Sequence, residues 1–197
     1  MNNEDERSRA GRLPLTISQT FGAAAILCAA ALGICVHFAR EHGYVINTTP
    51  SLPRGLWQTT PIHGPVRRGE IVLLCPLKTE AFILAYHRGY LGAGDCPSGF
   101  ERMQKPIVAL PGDKVQVSVQ GITVNGQWLR NSASLATDTR NRPLPVMPHG
   151  AYTVAPDTVW VVSTFNHLSY DSRYFGPVPL SDIKSSARPI FVEGDQW

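Results

Sequence analysis

The sequence is poor in charge, and its cysteines and histidines lack the spacing of metal sites. Charged residues make up only 17% of the 197 residues, against 43% for hydrophobic residues. The four cysteines include no C-x-x-C pair and the six histidines no H-E-x-x-H motif, so we expect neither a metal site nor a cofactor. No basic block with interleaved aromatic residues occurs either, which argues against nucleic-acid binding.

Convincing catalytic bases are also scarce. His63, His87, His149 and His167 lie in turn-rich or surface-like contexts, so no Ser-His-Asp set stands out. Among the few lysines, only Lys105 heads a run of apolar strand residues. Burial there would lower its pKa from about 10.4 towards the range of about 7 to 8 that suits a general base. A lone lysine at the start of a strand is nevertheless most often a surface residue with a packed stem.

One long hydrophobic run lies near the N-terminus, and it contains no charged residue from Leu13 to Phe38. About 20 apolar residues suffice to cross a bilayer as a helix. Because arginines precede the run, the positive-inside rule predicts a cytoplasmic segment at 1–12, a transmembrane anchor at 13–39 and a translocated domain at 40–197. A cleavable signal peptide and a buried core helix are the alternatives, and the length of the run favours the anchor.

The region after the hydrophobic run is predicted to be one mainly β domain with a short helix. With 17 Gly and 16 Pro, turns are frequent, which favours short strands. Asn125-Gly126 between apolar runs indicates a hairpin, and a helix over 80–88 is expected, with Thr79 as N-cap and Gly89 as its stop. Strands are expected over residues 69–75, 105–110, 114–119, 122–124, 127–129, 158–163 and 190–192, and a surface loop over 132–148.

Ser51 lies just after the hydrophobic run, between Pro50 and Pro53. Each proline fixes its own φ and biases the residue before it towards extended geometry. A serine held this way near a membrane surface is well placed to present its hydroxyl to a peptide. Most serines between prolines are loop residues, so this stretch alone does not establish a nucleophile.

Three separated motifs follow one another along the chain: Ser51-Leu52-Pro53, residues 105–113 and residues 169–176. Together they resemble the motifs of the signal peptidase superfamily of serine–lysine proteases, peptidase S26. Ser51-Leu52-Pro53 resembles the nucleophile motif. Residues 105–113, with a lysine at the start and an L-P-G-D turn at the end, resemble the lysine motif. Residues 169–176 resemble the S-x-D-S-R-[YF]-[FW]-G motif. The order and spacing agree with the family, and the resemblance implies an N-terminal transmembrane helix followed by a signal-peptidase-like β-sheet domain.

The sub-family is indicated by the residues around the serine. Housekeeping type I signal peptidases typically show S-M-x-P, whereas here proline follows at the second position. The N-x-T-x-S-x-P-x-G pattern at residues 47–55 and the aromatic Trp57 resemble the TraF peptidases of conjugative transfer systems. Members of that sub-family process pilin precursors, and in some systems the product is cyclised. The resemblance therefore implies a membrane-inserted pilin precursor as substrate and a conjugative transfer apparatus as partner, at the bacterial inner membrane with the catalytic domain periplasmic.

The resemblance also implies a role for each matching residue. Ser51 would attack the scissile carbonyl, and neutral Lys105 would take its proton and later return one to the leaving amine. Ser169 matches the position that helps orient the lysine. Asp171 would organise its loop, together with Arg173, and a direct catalytic role for Asp171 is the alternative.

The oxyanion and disulfide assignments complete the expected site. The backbone N–H of Ser51 and the hydroxyl of Thr49 are the expected oxyanion donors. If the main domain lies outside the cytoplasm, its two cysteines, Cys75 and Cys96, are the natural disulfide pair. Both cysteines also match the TraF sub-family.

Three other functions remain open at this point. A housekeeping type I signal peptidase with broad secretory substrates is the nearest alternative. A non-enzymatic bitopic assembly module belongs to a different class. A self-cleaving serine–lysine regulator is disfavoured by the anchor and by the lack of a DNA-binding segment.

Overall fold

The computed structural model describes residues 17–194. The chain divides into two compact units at the boundary between Glu41 and His42. The expected cytoplasmic segment at 1–12 and the first residues of the expected anchor, 13–16, lie outside the described residues.

The N-terminal unit contains the helix α1, Ile17–Glu41. At about 1.5 Å per residue its 25 residues span about 38 Å, which exceeds the roughly 30 Å hydrocarbon core of a bilayer. Its stretch Ala24–Glu41 has a mean hydropathy of 1.5, and none of that stretch is buried. Within residues 17–194, α1 is the one helix that is long and apolar enough to cross a membrane. It ends two residues beyond the expected anchor boundary at 39.

The second unit is built on two antiparallel sheets, so the predicted mainly β class is confirmed. The larger sheet has the order β1-β2-β11-β3-β4-β9-β10 and the smaller one the order β7-β6-β5-β8. The strands are β1 Tyr44–Asn47, β2 Gly55–Pro61, β3 Ile71–Leu74, β4 Met103–Ala109, β5 Lys114–Ser118, β6 Gly121–Val124, β7 Gln127–Trp128, β8 Gly150–Thr153, β9 Thr158–Val161, β10 Val178–Pro179 and β11 Ile183–Val192. The helices are α2 Glu80–Arg88 and α3 Ser172–Phe175, with a 3-10 turn at Leu180–Asp182.

The local signals for α2 and for the hairpin are confirmed. Gly89 ends α2 at φ 76°, and its N–H caps the last turn. Asn125 and Gly126 both adopt positive φ, at 50° and 82°, as a type I′ hairpin turn requires. Thr79 occupies the N-cap position but makes no capping hydrogen bond with its side chain.

The strands on either side of the Ser51 loop were not predicted. The sequence analysis expected no strand before residue 69, yet β2 covers Gly55–Pro61 and pairs with both β1 and β11. β11 was expected only over 190–192, but it begins at Ile183 and lies between β2 and β3. Its polar residues have no strand preference that the sequence reveals. The segment is a strand because it pairs with β2 and β3 on either side, and such neighbours outweigh intrinsic propensity.

Close packing against β11 explains the glycine that begins β2. Gly55 has a φ of 136°, and a Cβ at this position would lie 2.2 Å from the Phe191 carbonyl oxygen. A side chain cannot be accommodated there without moving the β11 backbone. The approach brings β11 against β2 directly after the Ser51 loop.

Three hydrophobic clusters support the unit. The largest packs α2 and the residues after it against the larger sheet, and includes Val72, Phe82 and Ile107. A second lies within the smaller sheet and the adjoining part of β9. The third, centred on Leu52, Trp57 and Ile71, lies beneath the Ser51 loop. All three side chains of this third cluster are buried, so the loop is packed directly onto the sheet.

The expected disulfide between Cys75 and Cys96 is present. It joins the end of β3 to the loop that follows α2, at a sequence separation of 21. The disulfide therefore closes the loop of chain that contains α2 and Tyr90.

Candidate active site

The Ser51 loop is held together by the side chain of Asn47. Asn47 Nδ2 lies within 3.0 to 3.1 Å of the backbone carbonyls of Thr49, Leu52 and Pro53. Trp57 Nε1 donates a second hydrogen bond to the Pro53 carbonyl, at 3.1 Å. The two prolines thus act together with side-chain hydrogen bonds to fix the backbone that carries the serine.

Lys105 lies in the first half of β4, and its side chain contacts Ser51. Its side chain is buried, with only 3% of the residue exposed. Its Nζ lies 2.7 Å from Ser51 Oγ and 2.9 Å from Ser169 Oγ, and both contacts are hydrogen bonds. β4 begins at Met103, two residues before the predicted start, so Lys105 lies within the strand rather than at its first position.

Burial sets the protonation of this lysine. Loss of hydration lowers the pKa of Lys105 from 10.5 to about 8. The negative charge of Asp171 raises the pKa and the positive charge of Arg173 lowers it, both by less than burial does. At pH 8 about half of the molecules therefore carry a neutral lysine next to Ser51 Oγ, the form that can accept a proton.

Asp171 and Arg173 form a fully buried ion pair in the loop that carries Ser169. Arg173 Nε lies 2.8 Å from Asp171 Oδ1, and neither side chain is exposed. Asp171 also caps α3 by accepting a hydrogen bond from the Arg173 N–H. The guanidinium donates to four backbone carbonyls as well, those of Asn131, Ala133, His167 and Ser169. This pair organises the loop around the lysine, and the carboxylate makes no hydrogen bond to Lys105 within residues 17–194.

Two residues that sequence analysis missed contact the Ser51 loop. The Ser163 hydroxyl donates a hydrogen bond to the Ser51 carbonyl. Asn166 Nδ2 donates to the Pro50 carbonyl at 3.1 Å. Both residues follow β9 and belong to no recognised motif, so only the tertiary structure reveals that they contact the Ser51 loop.

The expected oxyanion donors differ in their present partners. The Thr49 hydroxyl donates to Asn47 Oδ1 at 2.8 Å, so its proton is directed at Asn47 in this structure. The backbone N–H of Ser51 makes no hydrogen bond within the described part of the chain. Of the two expected donors, Ser51 N–H is the one available without a rearrangement.

A cleft of about 620 Å³ is lined by Ser51 and Lys105. Its other lining residues come from β1 and the Ser51 loop, from β3 and β4, from the segment after α2, from the connection between β7 and β8, and from residues 168–174. That connection was expected to be a surface loop, yet Leu144 packs against the main core. Asp138 of this connection accepts a hydrogen bond from the Tyr90 hydroxyl and forms an ion pair with Arg142 at 2.6 Å. The contact with Tyr90 attaches the connection to the segment after α2.

Comparison with known proteins gives a consistent family. The sequence model described as signal peptidase, peptidase S26, matches residues 17–192. A plasmid transfer protein TraF from Escherichia coli is 37% identical over 185 residues, covering 94% of this chain and 99% of that protein. A conjugal transfer protein TraF from Agrobacterium fabrum is 40% identical over 150 residues, covering 76% of this chain and 83% of that protein.

Among solved structures, a signal peptidase I from Enterococcus faecalis V583 matches with 18% identity and a TM-score of 0.36. The match covers 62% of this chain and 97% of that one. The family match over residues 17–192, together with the TraF relatives, shows that this chain belongs to the signal peptidase family, peptidase S26.

Proposed function

We propose that this protein is a membrane-anchored serine endopeptidase of a conjugative transfer system, with Ser51 as nucleophile and Lys105 as general base. Family membership supports a serine protease, and the TraF relatives support a peptidase role in conjugation. The observation that carries the residue assignment is the 2.7 Å contact between Lys105 Nζ and Ser51 Oγ at a buried lysine of lowered pKa. Nucleophile and base within hydrogen-bond distance are the signature of an activated serine.

The proposed chemistry is acyl transfer through a covalent intermediate. Neutral Lys105 takes the proton of Ser51 Oγ as the oxygen attacks the scissile carbonyl carbon. The resulting ammonium gives that proton to the leaving amine when the peptide C–N bond breaks. A water molecule, deprotonated by the lysine, then hydrolyses the ester and restores the serine. Ser169 Oγ, at 2.9 Å from Nζ, keeps the lysine aimed at the nucleophile throughout.

The tetrahedral intermediate requires donors for its oxyanion. The backbone N–H of Ser51 serves as the first donor because no other group within residues 17–194 uses it. Thr49 supplies the second donor if its hydroxyl turns from Asn47 Oδ1 towards the substrate. Removal of one oxyanion donor typically lowers kcat by about 100- to 1,000-fold.

The substrate is proposed to bind as an extended strand along β4. Lys105 lies opposite Val72 of β3. The Ile107 N–H donates to the Glu70 carbonyl, so residues 107 and 70 form a hydrogen-bonded pair. Because such pairs alternate along an antiparallel ladder, residues 105 and 72 form the next one. The N–H and C=O of Gln104 therefore point away from β3. On this side of β4, β9 pairs with Ile107 and Ala109, and the Val162 N–H donates to the Pro106 carbonyl. Within residues 17–194 the edge is therefore open at Gln104, which lines the cleft. An open strand edge next to the nucleophile suits addition of a peptide strand.

The proposed topology places residues 40–197 in the periplasm and residues 1–12 in the cytoplasm. The arginines before α1 favour this orientation. The Cys75–Cys96 disulfide is consistent with an oxidising compartment. A membrane-inserted pilin precursor would then meet the cleft on the same side of the membrane, and the acyl-enzyme could be released by water or by the amine of the pilin itself, which gives a cyclic product.

Co-expression with the pilin precursor of the same transfer region, followed by mass measurement, tests this function. We expect processing by the wild type, none by Ser51→Ala or Lys105→Ala, and unchanged processing by Lys184→Ala at an exposed position. A cyclic product would be lighter by one water than the linear one. Full processing by either active-site variant would refute the mechanism. Cleavage of secretory signal peptides without cleavage of the pilin would instead favour the housekeeping peptidase.

A further inference from the structure

We infer that Ser163 is a positioning residue for the nucleophile, through a hydrogen bond to the backbone of Ser51. The inference rests on the proposed function and adds a residue outside the three family motifs. It concerns the connection between β9 and α3, which contributes Ser163 and Asn166 to the Ser51 loop as well as Ser169 to the lysine.

Ser163 is fully buried between the nucleophile and the ion pair. Its hydroxyl donates to the carbonyl of Ser51, and its own N–H donates to Asp171 Oδ2 at 3.1 Å. Asp171 is in turn paired with Arg173. A continuous set of hydrogen bonds, buried up to the part-buried contact with the Ser51 carbonyl, therefore runs from the guanidinium to the backbone of the nucleophile. Buried networks of this kind fix a single geometry when every member is satisfied.

The carbonyls on both sides of Ser51 are held by this one connection. Ser163 binds the carbonyl of Ser51, and Asn166 Nδ2 binds that of Pro50. In a planar trans peptide the N–H lies opposite the C=O of the preceding residue. Fixing the Pro50 carbonyl thus sets the direction of the Ser51 N–H, and fixing the Ser51 carbonyl sets the plane on its other side. Together they define where Oγ and the oxyanion donor point.

The hydrogen bonds of Ser163 indicate a positioning role rather than a role in acid–base catalysis. Its hydroxyl meets the Ser51 carbonyl and accepts from the Phe165 N–H, at 3.3 Å. It makes no hydrogen bond to Lys105 Nζ within residues 17–194. Loss of the hydroxyl should therefore disturb the alignment of the nucleophile and leave the titration of the lysine unchanged.

The test compares Ser163→Ala with Ser163→Thr in the full-length protein in detergent micelles. We expect kcat for precursor cleavage to fall about 10- to 100-fold in Ser163→Ala, because misplacement of a reacting group by about 1 Å has effects of this size. KM should change less than about twofold, and the pH at half-maximal rate should not move. Ser163→Thr keeps the hydroxyl and should recover most of the rate.

Ser132→Ala is the matched control. Ser132 is also fully buried, and its hydroxyl likewise joins backbone groups, accepting from the Ile122 N–H and donating to the Leu129 carbonyl. It supports the smaller sheet, so its loss should affect stability without a selective fall in kcat. An equal fall in kcat for the two alanine variants would overturn the inference.

Two further results would also overturn the positioning role. One is a kcat for Ser163→Ala within about twofold of the wild type, and the other is a shifted pH profile with an unchanged plateau. If Ser163→Ala does not fold, Asn166→Ala decides, because half-buried Asn166 holds the Pro50 carbonyl from the same connection. We then expect kcat to fall about 3- to 10-fold, and an unchanged kcat would refute the positioning role of this connection. Failure of the proposed function is distinguishable, because the wild type would then not cleave the precursor.

Discussion

Replacing Lys105 with methionine should abolish cleavage and at the same time stabilise the folded protein at neutral pH. Methionine has a similar length and fills irregular apolar space well. The substitution removes a buried amine that can carry charge, together with its contacts to Ser51 Oγ and Ser169 Oγ. Stability and activity are therefore expected to change in opposite directions at this position.

The magnitude follows from the pKa of the lysine. Burial lowers that pKa from 10.5 to about 8. Because one pKa unit corresponds to about 1.36 kcal/mol, the protonated lysine destabilises the folded state by about 3 kcal/mol at pH 7. The two hydroxyl contacts offset about 1 kcal/mol each. Lys105→Met should then be more stable than the wild type by about 1 kcal/mol at pH 7.

The pH dependence has a definite sign. The unfolded chain binds its proton more tightly than folded Lys105 does, so between pH 8 and 10.5 the unfolded state holds more protons. The free energy of unfolding of the wild type must therefore rise with pH across this window. The variant lacks this contribution, so its advantage should shrink and reverse by about pH 10.

Urea unfolding of the full-length protein in micelles, followed by the fluorescence of the buried Trp57 and Trp160, measures both quantities. Lys184→Met at an exposed position is the control and should leave the free energy of unfolding unchanged. A variant that is less stable than the wild type by the same amount at pH 7 and pH 10 would refute the reasoning, because the lysine would then not be held at a lowered pKa.

Other perturbations of the site and its support give separate expectations. kcat/KM for precursor cleavage should rise about tenfold per pH unit below pH 8 and level off above it. Ser169→Ala should lower kcat by about 10-fold, measured against the same precursor, because Nζ loses one of its two hydroxyl contacts. Replacing Cys75 and Cys96 together by serine should lower the free energy of urea unfolding by about 3 kcal/mol. Arg173→Met should destabilise by about 3 to 5 kcal/mol in thermal or urea unfolding, because Asp171 is left as an unpaired buried charge.

The parts of the fold with local signals were predictable from the sequence. Gly89 ends α2, and Asn125-Gly126 makes a hairpin, because these residues tolerate positive φ wherever they lie. β11 has no such signal, since residues 184–188 are mostly polar and include Lys184 and Arg188. It becomes a strand because β2 and β3 lie on either side of it, and this pairing joins residues more than 100 positions apart.

The same distinction explains the site. Ser51, Lys105 and Ser169 belong to motifs, and the structure brings their side chains together as hydrogen-bonded neighbours. Ser163 and Asn166 lie in no motif, and serine and asparagine are common in loops for local reasons. Their contacts with the Ser51 loop join positions 112 and 116 residues apart, so composition and spacing cannot reveal them.

The structure bears on whether Asp171 acts on the lysine directly or supports its loop. Both carboxylate oxygens are occupied, because Oδ1 accepts from the Arg173 backbone and Nε, and Oδ2 accepts from Arg173 Nη2 and the Ser163 N–H. The charges of Asp171 and Arg173 shift the pKa of Lys105 in opposite directions, so the pair has a smaller effect than burial. A carboxylate that neither touches the lysine nor controls its charge fits a supporting role, exerted through Ser163 on the backbone of Ser51.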